Sequence, residues 1–198
     1  MGSAGHGGQG LARVAVVVRS GAAPLWWCGV FAAGVGVLPP GVTGRRIGVL
    51  VGAALFVVGA AVLACTRRGR YAAPARGTTR AGRYDVLQDR AVTVRNWRRG
   101  HHWWLLLGSA VALGGSLAVP AAGGMLLAGA ATGLWLKADW LGRLERSADI
   151  LLWLPVDRLD ARGGRPAGRA VETFRATGVA AGDAAPGGGA RRRAATPV

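Results

Sequence analysis

Acidic residues and lysine are scarce in this chain. Against 25 basic residues there are nine Asp and Glu, and Lys137 is the one lysine, so the formal charge is +16. Yet 51% of the residues are apolar. A soluble domain would mix these two properties along its length; here they are segregated into apolar blocks and basic blocks, the pattern of membrane spans and loops. The preference for Arg over Lys, with 34 Gly and abundant Ala and Val, matches GC-rich codons of a high-GC bacterial genome. It is therefore weak evidence for selected guanidinium recognition.

Cysteine is nearly absent too. Cys28 and Cys65 are too far apart for a metal or redox motif. Both fall near the expected cytoplasmic ends of spans, where a reducing compartment disfavours a disulfide. The apolar blocks contain no Asp, Glu, Lys, Arg or His. That argues against an ion- or proton-coupled transporter, which keeps an ionisable group at mid-membrane. No Gly-Lys-Ser/Thr phosphate loop occurs, and glycine is too common for a G-x-G match to inform. His101-His102 lack carboxylate or Cys companions for a metal. Ser109, Ser116 and Thr132 lack a buried base, and their hydroxyls are expected to bond to backbone carbonyls. No catalytic residue, metal site or cofactor is expected, and no enzyme activity.

Four apolar blocks are present: Ala22 to Leu38, Ile47 to Cys65, Trp103 to Val119 and Ala121 to Leu136. Pro39-Pro40 ends the first, and Pro120 with Gly123-Gly124 marks the turn between the last two. At 1.5 Å per residue the blocks span roughly 24 to 28 Å. A hydrocarbon core is about 30 Å thick, and flanking Arg and Trp side chains can cover the difference. The first block resembles a signal peptide only superficially, because Pro39-Pro40-Gly41 follows it rather than a small-residue cleavage site; it reads as an uncleaved span. The expected fold is all-α: four transmembrane helices as two hairpins, 22–65 and 103–136. Around them come an N-terminal segment (1–21, mostly disordered), a basic loop (66–102) with a helix over about 84–99, an amphipathic helix over 137–154, and a disordered basic tail (155–198). Leu11 to Val18 is too short to span and either lies at the interface or extends the first helix. Within the tail, a short helix around Ala170 to Thr177 is the one element considered. The two hairpins share a loose plan, which fits either a weak internal duplication or the common construction of hairpins.

Basic residues set the orientation. Two arginines precede the first span, ten lie between the second and third, and eleven basic residues follow the fourth, against only Arg45 and Arg46 in the intervening hairpin loops. The positive-inside rule then puts both termini and the central loop in the cytoplasm of a multi-pass plasma-membrane protein. Trp26, Trp27, Trp103, Trp104, Trp135 and Trp140 stand near the cytoplasmic span ends as interface anchors.

Gly48 and Gly52, and Gly129 and Gly133, stand four apart and are candidates for close helix packing within the chain or in a homo-oligomer. Tyr84, Leu87, Ala91 and Val94 follow helical spacing, as do Leu141, Leu144, Ala148 and Leu151, and Pro155 ends the second run. Extending the second hairpin into the cytoplasm pairs Arg95 with Glu145 and Arg90 with Asp149, a charge-complementary stalk; two helices lying on an anionic surface are the alternative. The expected function is a non-enzymatic membrane scaffold or accessory component. It would dock a cytoplasmic protein partner or anionic lipid, or contact nucleic acid non-specifically through the Arg-rich tail. A holin-like or other pore-forming protein is the alternative.

Overall fold

The computed structural model describes residues 10–39, 44–66, 68, 69, 71, 77–81, 85–156 and 174–178. A strand β1 (Gly10–Arg13) opens it and passes directly into α1 (Val14–Ser20). Gly21 links α1 to α2 (Ala22–Val37), and α3 (Arg45–Cys65) follows. Two short strands, β2 (Thr79–Arg80) and β3 (Val86–Leu87), lead to α4 (Arg90–Ala118) and α5 (Ala122–Ser147). Strands β4 (Ile150–Pro155) and β5 (Arg175–Gly178) complete the described chain.

All four apolar blocks are helical. Leu11 to Val18 extends the first helix from Val14 onward, while its start belongs to a strand, Gly10–Arg13. Val14–Val37 and Arg45–Cys65, of 24 and 21 residues, are long and apolar enough to cross a membrane. Among the described residues only these two qualify, where the sequence predicts four. In α4 the apolar run is diluted by His101-His102, a Trp pair and several Gly and Ser; in α5 it runs into Lys137 and Asp139.

Helix α5 is the centre of the bundle. It packs on both α2 and α3, while α2 and α3 make few contacts with each other among the described residues. The first hairpin is thus opened and α5 fills it. Gly29 and Gly124 bring α2 and α5 together: a Cβ on Gly29 would stand 2.5 Å from the Ala128 nitrogen, and one on Gly124 would collide with the Ala33 backbone. The turn into α5 is tight. Ala121 takes φ 64° and supplies no side-chain cap; instead the buried Ser116 hydroxyl of α4 accepts a 2.7 Å bond from the Gly124 N–H. This satisfies one of the donors that any helix start leaves open. Ser109 and Thr132 donate to the carbonyls of Leu105 and Ala128 within their own helices.

A five-stranded sheet in the order β2-β5-β4-β1-β3 corrects the all-α expectation. β4 is central, antiparallel to both β1 and β5, and the outer pairs β1–β3 and β2–β5 are parallel. Helix spacing fails at its start: α5 ends at Ser147, and Asp149 adopts φ 51° in the turn that redirects the chain. Beyond it, ILLWLP is a continuous apolar run because both sheet faces are covered. Leu152 packs with Val14, Leu141 and Phe174 on the helix side. Leu151 and Trp153 pack with Leu11 on the other. The helix expected over 84–99 begins only at Arg90, after β3; Tyr84 lies outside the described residues. The stretch considered as a helix near Ala170 to Thr177 instead contributes β5, with Phe174 buried in the core. The final Arg191-Arg192-Arg193 also lies outside them.

Candidate interaction surface

The sheet, α1 and the polar end of α5 form a headpiece on the end of the bundle opposite the two hairpin turns. Glu145 on the last turns of α5 is its polar centre, only 2% exposed. Its Oε2 accepts from Nε and Nη2 of Arg13 at 3.2 and 2.7 Å. Its Oε1 accepts from the Leu152 backbone N–H at 3.1 Å. One carboxylate therefore ties β1, α5 and β4, and its buried charge is both paired and hydrogen-bonded, as burial demands. A second ion pair joins Arg175 on β5 to Asp85 before β3, at 2.9 Å. The Trp153 indole donates to the Thr177 hydroxyl at 2.8 Å. Every buried side-chain polar atom among the described residues has a partner.

These bonds replace the expected stalk. Glu145 is held by Arg13, not Arg95, and no ion pair joins Arg90 to Asp149 among the described residues. The reason is that α1 packs on both α4 and α5 at this end and β1 on α4, so the N-terminal segment takes the place assumed for the α4 extension. Trp97 is the clearest sign: it fills the space beside Gly21, where a Cβ would stand 2.6 Å from its ring, and stacks on His101 at 4.6 Å. Thr93, one turn earlier, is also buried.

Around the rest of its circumference this end of α4 is open. Arg90, Arg95, Arg98 and Arg99 are all exposed. An open depression of about 670 Å³ runs along them, lined by Asp89, Ala91 and Val94 as well. All its walls belong to one helix and its cap residue, so it is a charged face rather than an enclosed pocket. Below it, Trp103 and Trp104 project outward at 73% and 71% exposure. On neighbouring helices Trp26 stands edge-on to Trp27 at 5.0 Å and 6.0 Å from Trp135. Trp140 packs on the headpiece core, with the Arg68 guanidinium 5.6 Å from its ring centre. Trp153, which sequence reasoning did not single out, is the largest fully buried side chain.

The four glycines singled out for packing all face the α3–α5 contact. A Cβ on Gly48 would meet Pro120 at 2.6 Å, and one on Gly52 would meet Met125 at 3.3 Å. One on Gly129 would collide with the Phe56 backbone, and one on Gly133 would stand 2.6 Å from the Ala60 carbonyl oxygen. Among the described residues no three His, Cys, Asp or Glu gather as a metal site. Compared with known proteins, the chain matches no family model, no curated protein and no solved structure.

Proposed function

We propose that this chain is a multi-pass plasma-membrane protein in which all four apolar helices cross the bilayer. Its headpiece and both termini lie in the cytoplasm, and it serves as a non-enzymatic scaffold. The observation that carries the reading is a reversal of size with burial. Among the described residues of 22–64 and 112–133 every buried one is Gly, Ala, Ser or Pro. The large side chains of the same helices, such as Phe31, Leu50 and Val111, are 68–71% exposed. Water would not tolerate that surface over four helices, whereas lipid favours small residues between helices and large apolar ones outside. The exposed apolar residues include Leu106, Leu107, Val111 and Leu117 of α4 and Leu126 and Leu136 of α5. These two helices therefore share the lipid-facing character of α2 and α3 despite their lower mean hydropathy.

The headpiece is the converse, with Leu11, Leu141, Leu152, Trp153 and Phe174 buried as in a soluble domain. Its exposed arginines, including Arg143 and Arg146 on α5, make it the docking side for an acidic partner, anionic lipid or nucleic acid. The close backbone packing along α5 favours the scaffold reading over the holin-like alternative.

Topology is tested with single cysteines in a chain from which Cys28 and Cys65 have been removed. Arg46→Cys and Val119→Cys should react with an impermeant maleimide on intact cells. Arg19→Cys and Arg146→Cys should react only after permeabilisation; labelling of position 119 solely from the cytoplasmic side would overturn the four-span arrangement. The scaffold role requires that the purified protein bind anionic liposomes, DNA or a retained partner at physiological salt, and binding to none of these would dismiss it.

A further inference from the structure

We propose that Arg98 and Arg99 on α4 form a binding site for the phosphate headgroups of anionic phospholipids in the cytoplasmic leaflet, and that Arg90, further out on the same helix, does not. The inference rests on the reading that α4 crosses the bilayer. It adds a depth scale. Trp103 and Trp104 are strongly exposed, and exposed Trp side chains settle at the boundary between acyl chains and headgroups. At 1.5 Å per residue, Arg99 and Arg98 stand about 6 and 7.5 Å beyond Trp103 along the helix. The headgroup layer is about 5 to 8 Å thick on each side of the hydrocarbon core. These two guanidinium groups therefore lie in the layer that carries the phosphates. Arg95 stands about 12 Å out, at its margin, and Arg90 about 20 Å out, in water.

Charge and geometry favour lipid over a soluble occupant for this stretch of α4. A guanidinium binds phosphate oxygens two at a time, and no carboxylate is bonded to Arg98 or Arg99 among the described residues. The side of α4 that carries Thr93 and Trp97 is closed by the headpiece, so the arginine side is the one left facing the surrounding leaflet. A macromolecule would have to displace lipid to reach residues at this depth.

The test uses the full-length protein reconstituted in phosphatidylcholine bilayers containing phosphatidylglycerol, with bromine on the acyl chains of one lipid at a time. Bromine quenches tryptophan on contact, and the part of the quenching lost in a W103F/W104F variant reports the lipid beside α4. In the wild type, brominated phosphatidylglycerol should quench that part in preference to phosphatidylcholine. The preference should fall about five-fold for each arginine removed, so R98Q/R99Q should largely abolish it while R90Q leaves it unchanged. All three arginines are exposed, so these variants keep the core intact. Equal quenching by both lipids, or R90Q losing as much as R98Q/R99Q, overturns the headgroup site while leaving the span in place. Unchanged preference in R98Q/R99Q also overturns it and leaves the face to a soluble partner. If W103F/W104F removes no quenching, α4 lies outside the bilayer, and the four-span reading falls together with the site.

Discussion

A single added methyl separates the glycines that hold this bundle from those that do not. Gly124 faces the Ala33 and Gly29 backbones, which cannot swing aside as a side chain would. Gly124→Ala should cost about 1–3 kcal/mol through overpacking, read as a lower midpoint of thermal unfolding in mild detergent. A Cβ added to Gly108, on α4, would meet no neighbouring element within 4 Å. There the same substitution should stabilise by about 0.5–1 kcal/mol, because alanine loses less backbone freedom on entering a helix. Ser116→Ala should cost about 1–3 kcal/mol in the same assay, since it strands the buried Gly124 N–H that the hydroxyl accepts. No change on losing Ser116 would mean that the α4–α5 turn relaxes to another acceptor.

Among the elements, the contact that decides the headpiece is Glu145 with Arg13 and Leu152. Glu145→Ala removes the carboxylate to which Arg13 and the Leu152 N–H donate and should cost about 3–5 kcal/mol, the range for removing one member of a buried pair. Hydrogen exchange should rise in 10–13 and 150–155 and stay unchanged along 122–135. Arg95→Gln, the partner expected from counting along the hairpin, should leave both regions as they were.

This difference marks what was legible in the sequence. The apolar blocks could be read because a helix closes its hydrogen bonds within its own stretch, so composition and spacing are local evidence. The sheet could not. Its strands are two to six residues long, and Leu11, Leu87, Trp153 and Arg175, which lie in one sheet, are spread over the whole chain. Leu141, Leu144, Ala148 and Leu151 also happen to keep helical spacing across the Asp149 turn, which disguised the start of β4. The arginines of α4 were visible as composition; the strong exposure of Trp103 and Trp104, on which the proposed depth scale rests, was not.

For the whole molecule, the decisive quantity is whether α4 tolerates charge on its outer face. Val111 is 68% exposed there. In water Val111→Arg would be harmless, but near the middle of a bilayer it should cost about 2.5–3.5 kcal/mol of insertion. A translocon insertion assay of the second hairpin should then show a reduced inserted fraction, and undiminished insertion would place α4 outside the lipid. The sheet also imposes an order on biosynthesis. Its central strand follows the last helix, and its first strand, β1, precedes the first helix. Before β4 is made, β1 has only the two-residue pairing with β3, too little to persist in water. Under the proposed topology, the N-terminal strand waits on the ribosome's side of the membrane while the helices are threaded. On that reading the headpiece closes only after the last helix has been inserted, so its folding would double as a check that the bundle beneath it is complete.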